Sequence, residues 1–343
     1  METMFCLVSR QTMANVLPVL MYNPKKVILF ATPEEKNSAD NLEKLFKSKR
    51  INVKRNDGLD AYDYVNFKSV VKNELDLSMG ETWLNVTGGT KLMALAAYEA
   101  FAEKNRKIIY CNTERKQIIH LYPNPISENL ELTLDINDYL ISYGYEIISS
   151  RTDEFNDNHK KIFDILVQKG ILSNFSDFLD IYRSQVANFV NLRTFIDKRN
   201  RIFSIQRTPN GIILFIENEK FKFDDDKFLK GDWLEFFMLY HLSNLGINSE
   251  LGVKITSSGN VENEIDLIFI KNYQLYLISC KSGRNNDPNR DIYEVETLRN
   301  IAGGTYGKAF LFTTQPLTQR IAKRAAELRI KTIDLQNLDK VNF

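Results

Sequence analysis

The sequence predicts an α/β protein in three parts: a first α/β domain over residues 1–150, a connector of helices and a β-hairpin over 151–228, and a second α/β domain over 229–343. Three observations carry this. From Met4 to about Tyr145, short apolar runs alternate with helical patterns. From Asp153, two helical patterns lead to two β-rich runs around Pro209-Asn210-Gly211. From Gly231, an apolar helix precedes two apolar runs, Leu267 to Ile270 and Leu275 to Ile278, that flank Lys271-Asn272-Tyr273-Gln274.

In the first part, Phe5-Cys6-Leu7-Val8 reads as a buried strand, Thr12 to Tyr22 as a helix and Lys26 to Phe30 as a second strand. Pro33 to Arg50 has helical spacing, with Leu42, Leu45 and Phe46 on one face. Ile51-Asn52-Val53 is a short strand and Tyr64 to Leu77 a helix. Thr82 to Val86 and Lys107 to Tyr110 are strands around a helix from Thr90 to Lys104. Strand–helix alternation makes a largely parallel, Rossmann-like sheet covered on both faces. Ligands on such sheets sit beyond the carboxyl ends of the strands. Two loops fall there, Ser9-Arg10-Gln11-Thr12 and Thr87-Gly88-Gly89-Thr90-Lys91. In the second, the glycines let backbone N–H groups approach an anion, Thr90 can cap the helix, and Lys91 adds a charge to the positive helix start. The loop is neither a Walker loop, since Leu92 stands where Ser or Thr would hold Mg²⁺, nor GxGxxG, which disfavours NTP hydrolysis and a dinucleotide cofactor. The plain alternative is a tight turn that needs glycines.

In the middle part, His159 to Lys169 and Phe175 to Phe195 have helical spacing. Arg201 to Thr208 and Ile212 to Ile216 flank an Asn-Gly turn, a hairpin signal. The set reads as a winged-helix-like or connecting module, and the lack of a basic stripe favours the connector. In the last part, Asp232 to Leu245 is an amphipathic helix and the two apolar runs are strands of a hairpin. The glycine-rich turn Ile301 to Gly307 leads into the strand Ala309 to Phe312, a helix Arg320 to Arg329 and a last strand Ile330 to Ile333.

Composition narrows the function. The chain has 343 residues, enough for two or three domains, with 43% apolar and 26% charged residues and a net charge of +1. No global field draws it onto nucleic acid, so such binding needs a local patch. The three cysteines, Cys6, Cys111 and Cys280, are scattered in apolar runs and read as reduced, buried thiols of a cytoplasmic protein. Three separated histidines argue against a His-rich metal site. No apolar run is long enough to span a membrane, and no signal peptide opens the chain.

The hairpin carries the chemistry. Its first strand brings Glu264 and Asp266 to one end on the same strand face, and its second ends in Ser279-Cys280-Lys281. Carboxylate oxygens suit Mg²⁺ or Mn²⁺, which would polarise a phosphate and acidify a water. The lysine ammonium can steady the charge growing on phosphorus. The stretch resembles the restriction-endonuclease-like nucleases, with Asp on one strand and Glu-x-Lys on the next. Asp266 and Lys281 match; Ser279 stands at the Glu position, which removes one negative charge that Glu264 or Glu262 could restore. Glu235, on the apolar helix beside Trp233 and Leu234, is costly to bury unless it meets a cation. The resemblance gives this helix a carboxylate for the site, so Glu235, Asp266 and the Cys280 carbonyl become the expected metal ligands. Arg284, Arg290, Arg299 and Lys308 are candidates for positioning phosphates. A surface hairpin with polar ends is the plain alternative.

Together, Leu7-Val8-Ser9-Arg10-Gln11-Thr12, Asp57-Gly58, Asn85 to Met93, Gly231-Asp232-Trp233-Leu234-Glu235 and Asn263-Glu264-Ile265-Asp266 resemble the ancillary nucleases of type III CRISPR systems, in which a CARF domain is joined to a restriction-endonuclease-like domain. The resemblance implies that the first domain binds a cyclic oligoadenylate, the tetra-adenylate first among the rings, across a symmetric dimer. Ser9, Gln11, Thr12, Gly88, Gly89, Thr90 and Lys91 would line the pocket; Arg10, Asp57, Gly58, Asn85 and Thr87 belong to the same motifs. The implied activity is ligand-gated, metal-dependent cleavage of DNA, with RNA as a further substrate. Two alternatives stay open: a ligand sensor whose nuclease site is crippled by Ser279, and a winged-helix transcriptional regulator.

Overall fold

A computed structural model describes residues 1–186, 194–196, 202–257, 259–283, 287–341 and 343. The first sheet contains β1 (Thr3–Leu7), β2 (Lys26–Phe30), β3 (Asn52–Asn56), β4 (Thr82–Asn85), β5 (Lys107–Asn112), β6 (Gln117–Tyr122) and β7 (Ile126–Asn129), in the spatial order 3-2-1-4-5-6-7. β1 to β5 are parallel and β6 and β7 antiparallel. The continuous apolar run of β1 follows from its place at the centre, where every residue is buried. Helices α1 (Met13–Tyr22), α2 (Lys36–Ser48), α3 (Tyr64–Leu77) and α4 (Lys91–Glu103) make the crossovers. The chain reverses its strand order at β1 and β4, so the crevice beyond their carboxyl ends receives both sequence-predicted loops.

Next come α5 (Ile136–Ser142) and β8 (Tyr145–Ser149). α5 packs against α2, and β8 is an edge strand of the second large sheet, so the chain enters that sheet just before the expected boundary at 150. Met4, Leu17 and Tyr139 share one apolar core with Val253, Ile265, Leu277 and Leu298. The first sheet's layer and the hairpin layer are thereby packed together.

α6 (Asp157–Gln168) and α7 (Leu172–Val186) lie with a four-stranded antiparallel sheet of β9 (Thr194–Ile196), β10 (Phe203–Thr208), β11 (Gly211–Ile216) and β12 (Glu219–Phe223), in the order 12-11-10-9. The expected Asn-Gly hairpin is the β10–β11 pair, closed at Thr208 and Gly211. The helix expected as far as Phe195 is corrected. Phe195 pairs with Ile205 in the β9–β10 ladder, where flanking Thr194 and Ile196 suit a pleated strand. The part of that expectation over 187–193 lies outside the described residues.

α8 (Trp233–Asn244) follows a π-helical turn over Phe228–Asp232. Expected to be amphipathic, it is buried on nearly every side, including Leu234, Met238 and Leu239, because the middle module covers the face that would otherwise meet water. The last sheet adds β13 (Ser249–Ser257), β14 (Glu262–Lys271) and β15 (Gln274–Lys281), then α9 (Pro288–Leu298), β16 (Lys308–Thr313), α10 (Gln319–Glu327) and β17 (Ile330–Asp334). Its order is 17-16-15-14-13-8. β14 and β15 form the expected hairpin, closed by Asn272 and Tyr273 with φ of 56° and 62°. Two left-handed residues give a turn whose twist matches that of the strands.

Candidate active site

The β14–β15 ladder runs from Lys271–Gln274 to Leu267–Ile278. Just past it, the Asp266 carboxylate takes the bonds across the gap: Oδ2 accepts from the Cys280 backbone N–H at 2.6 Å and from Ser279 Oγ at 3.0 Å. Ser279 is therefore a buried donor that fixes Asp266, a role its short neutral side chain suits. Burial raises the Asp266 pKa, against the nearby Lys281 charge and these two bonds. Lys281 is the next side chain on β15. Burial alone would lower its pKa, but Asp266, Glu294 and Asp291 outweigh burial and raise it, so it carries its full charge. Glu294 of α9 lies 3.6 Å from its ammonium.

Glu235 comes from the first turn of α8. Burial, then the charges of Asp266 and Asp232, push it up to about 8, with Arg151 opposing. Arg151 Nη1 donates to Glu235 Oε2 at 3.5 Å and Nη2 to the Asp232 carboxylate. A carboxylate whose charge is resisted by burial and by a neighbouring acid gains most from a cation, which is the property a metal ligand needs. Among the described residues no three His, Cys, Asp or Glu side chains already form a metal-binding group. Two carboxylates, a strand carbonyl and water nevertheless suit Mg²⁺, which keeps several of its waters. The Cys280 thiol is held neutral by burial, so a contribution from this residue falls to its backbone. Glu264 stands at the rim, exposed and 3.9 Å from Lys254 across the ladder. Arg299 does not face this site: its guanidinium donates to the Leu328 carbonyl at 2.7 Å. Arg284 lies outside the described residues.

In the first domain, the crevice beyond β1 and β4 contains Ser9, Gly58, Gly89 and Thr90 in a cavity of about 690 Å³. Arg10, Gln11 and Thr12 line a second cavity of about 470 Å³, which Arg299, Asn300 and Arg329 of the last domain also line. Lys91 is exposed at the start of α4. Three expected ligand residues have inward tasks. Asn85 is fully buried, donating to the Ala14 carbonyl and Asn15 Oδ1 and accepting from Thr87 N and Oγ1. Thr87 Oγ1 in turn accepts the Cys111 N–H. Thr90 Oγ1 caps α4 at Met93 N and donates to the Ala61 carbonyl. These residues shape the loop, and of its two glycines Gly89 borders the cavity while Gly88 packs against the Leu7 carbonyl. Asp57 is tied to Arg55 at 3.0 Å.

The sequence reading missed Arg151, Glu294 and α5. Thr12 Oγ1 and Ser142 Oγ of α5 lie 3.0 Å apart, and Tyr139 of α5 donates to the Gly303 carbonyl at 3.2 Å. α5 thus touches both the Ser9–Thr12 loop and the turn before β16.

Comparison with known proteins is consistent with two functional units. The family described as Card1 CARF domain matches residues 3–139, and that described as Card1-like, endonuclease domain matches 223–342. Can2 from Sulfobacillus thermosulfidooxidans, solved with cyclic tetra-adenylate, has a TM-score of 0.80 at 24% identity, over 99% of this chain and 98% of that one. Protein VC1899 from Vibrio cholerae has a TM-score of 0.75 at 19% identity, over 99% and 95%. A type III CRISPR defence DNA nuclease activated by cyclic oligoadenylate has a TM-score of 0.61 at 16% identity; it is covered over 51% of its length by 98% of this chain, which spans about half of it. At these identities the likeness establishes the shared fold. No curated protein matches.

Proposed function

Because the chain belongs to the CARF-domain nucleases of type III CRISPR systems, joining a Card1 CARF domain to a Card1-like endonuclease domain, we propose that a cyclic oligoadenylate switches on metal-dependent phosphodiester cleavage by its second domain. The tetra-adenylate is the first candidate ring, the ligand of the similar Can2 structure. DNA is the first candidate substrate and RNA a further one. The observation that carries the reading is the meeting of Asp266, Lys281 and Glu235, from two strands and a helix, around one end of the hairpin.

Glu235, Asp266 and the Cys280 carbonyl are the residues that would hold Mg²⁺ or Mn²⁺. When bound, the ion supplies Lewis-acid polarisation of the phosphate and the attacking water. Lys281 brings a fixed positive charge to the place where charge grows on phosphorus. Ser279 and the Cys280 N–H hold Asp266 in one orientation. A homodimer suits the activator, because a two-fold axis offers the same loop twice to a ring with rotational symmetry. Tyr62, Val65, Leu92 and Leu95 are exposed apolar residues near that loop and support such a pairing. Gating requires the ring to bind the cutting-competent arrangement more tightly than the other.

The test uses plasmid DNA and single-stranded RNA with Mg²⁺ or Mn²⁺ and each candidate ring. Cleavage should depend on one ring, and Asp266→Ala should abolish cleavage while ring binding persists. No ring binding and ring-independent cleavage would reject the proposal. Ring binding without cleavage would favour the degenerate sensor, for which the missing carboxylate at Ser279 is the specific argument.

A further inference from the structure

We propose that Arg151 is a positioning residue of the cleavage site, one that holds the carboxylates of α8 and sets how readily Glu235 turns to the metal. The inference rests on the metal-dependent reading above. Arg151 stands two residues after β8, at the end of the segment that leaves the ligand domain. Its backbone N–H donates to the Leu251 carbonyl at 2.8 Å, which anchors it to β13. Its side chain lies against Gly252, where a Cβ would come within 2.7 Å of Arg151 Cδ. The guanidinium passes over the Phe236 ring at 5.9 Å, a contact that adds to the hold of its carboxylate partners.

Three acids share it. Asp232 is the close partner, Glu154 sits at 3.1 Å and Glu235 at 3.5 Å. Asp232 and Glu154 anchor the guanidinium, and Glu235 is its loosest partner. Glu235 can leave Arg151 for a divalent ion at the cost of one long ion pair, while Asp232 keeps the arginine in place. The guanidinium holds Glu235 in an ion pair that a divalent ion must displace, and its charge repels the incoming cation.

The same residue is connected to the ligand loops. Thr12 meets Ser142 of α5, α5 runs into β8, and β8 pairs with β13 up to Ser149–Lys254. A ring that moves the Ser9–Thr12 loop therefore acts on the segment that ends in Arg151. Ring binding is expected to loosen the Arg151–Glu235 contact and so to tighten metal binding.

Mn²⁺ binding, followed by the electron paramagnetic resonance of the free ion, reads this without any cleavage. Arg151→Gln should bind Mn²⁺ more tightly than the unmodified protein, on the order of tenfold for the loss of one screened charge beside a divalent ion. The tetra-adenylate should tighten Mn²⁺ binding in the unmodified protein and add little in Arg151→Gln. Arg151→Lys, which keeps the charge, should stay close to the unmodified affinity. Should Arg151→Gln fail to fold, Gly252→Ala displaces the arginine with its charge intact and should shift Mn²⁺ affinity in the same direction. Unchanged or weaker Mn²⁺ binding in the folded variant would overturn the inference, because a merely structural arginine lost from the site cannot tighten it. Asp266→Ala separates the two levels. If it binds Mn²⁺ normally, the metal site itself is wrong; if it loses Mn²⁺ while Arg151→Gln is unchanged, only the role of Arg151 fails.

Discussion

Replacing Gly88 by alanine tests the ligand loop with a magnitude that follows from geometry. A Cβ on Gly88 would lie 2.1 Å from the Leu7 carbonyl oxygen and 3.3 Å from Ser9 Oγ. The first of these is backbone and cannot rotate away. The Leu7 carbonyl is also held by Asn15 Nδ2 at 2.8 Å, and Asn15 is bonded to Asn85 at 2.9 Å, so moving it disturbs the network joining both loops. Overpacking of this kind costs about 1–3 kcal/mol, and loosening the Asn15 bond adds about 1 kcal/mol. Gly170→Ala is the control: Gly170 has φ +64° with nothing within 4 Å, so only the left-handed backbone is penalised, at about 1 kcal/mol. At about 2 °C per kcal/mol for a large domain, Gly88→Ala should melt roughly 4–8 °C lower than the unmodified protein and Gly170→Ala roughly 2 °C lower. Calorimetric titration should show cyclic tetra-adenylate binding weakened at least tenfold in Gly88→Ala alone, equivalent to about 1.4 kcal/mol. Equal melting temperatures and equal affinities in the two variants would refute the claim that this loop is packed too tightly for a side chain.

Ser279→Glu should place a second carboxylate against Asp266; its metal-free melting temperature should fall, and millimolar Mn²⁺ should raise it by more than in the unmodified protein. An equal Mn²⁺ response in both proteins would contradict the assignment of Asp266 as a metal ligand. His159 is buried in a stack with Phe155 and Phe236, accepts the Asn156 N–H on Nδ1 at 3.2 Å, and has its pKa lowered by burial from 6.5 to about 4. The unfolded chain then binds the extra proton between those values, so stability is full above pH 6.5 and is lost as pH falls toward 4, by up to roughly 3 kcal/mol. Denaturant melts of His159→Phe and the unmodified protein should diverge in that window and run parallel above it; parallel behaviour throughout would show that His159 does not titrate with unfolding.

The hairpin was legible because its parts agree: two apolar runs of strand length, a turn that tolerates two left-handed residues, and an acid and a lysine at the same end. Glu235 was legible as a lone acid in an apolar run. Arg151 and Glu294 were not, because each comes from a polar segment and acquires its meaning only when strand pairing or helix packing brings it to Glu235 or Lys281. The place of the Ser9–Thr12 and Thr87–Lys91 loops beyond β1 and β4 was legible from the strand–helix alternation. The direction of their side chains was not: Asn85 and Thr87 carry donors and acceptors suited to a nucleotide, yet spend them on each other and on neighbouring backbone. The four-stranded middle sheet showed only its central hairpin, since its outer strands are short and lack a turn signal of comparable strength.

The edge position of β8 restricts how such proteins can be taken apart. Severing the chain after residue 150 would leave the first half carrying an orphan ribbon and would strip β13 of its outer neighbour, baring a row of hydrogen-bonding groups that invites self-association. A transplant of the first domain onto another effector should therefore carry the ribbon's partner strand along, or end before Tyr145.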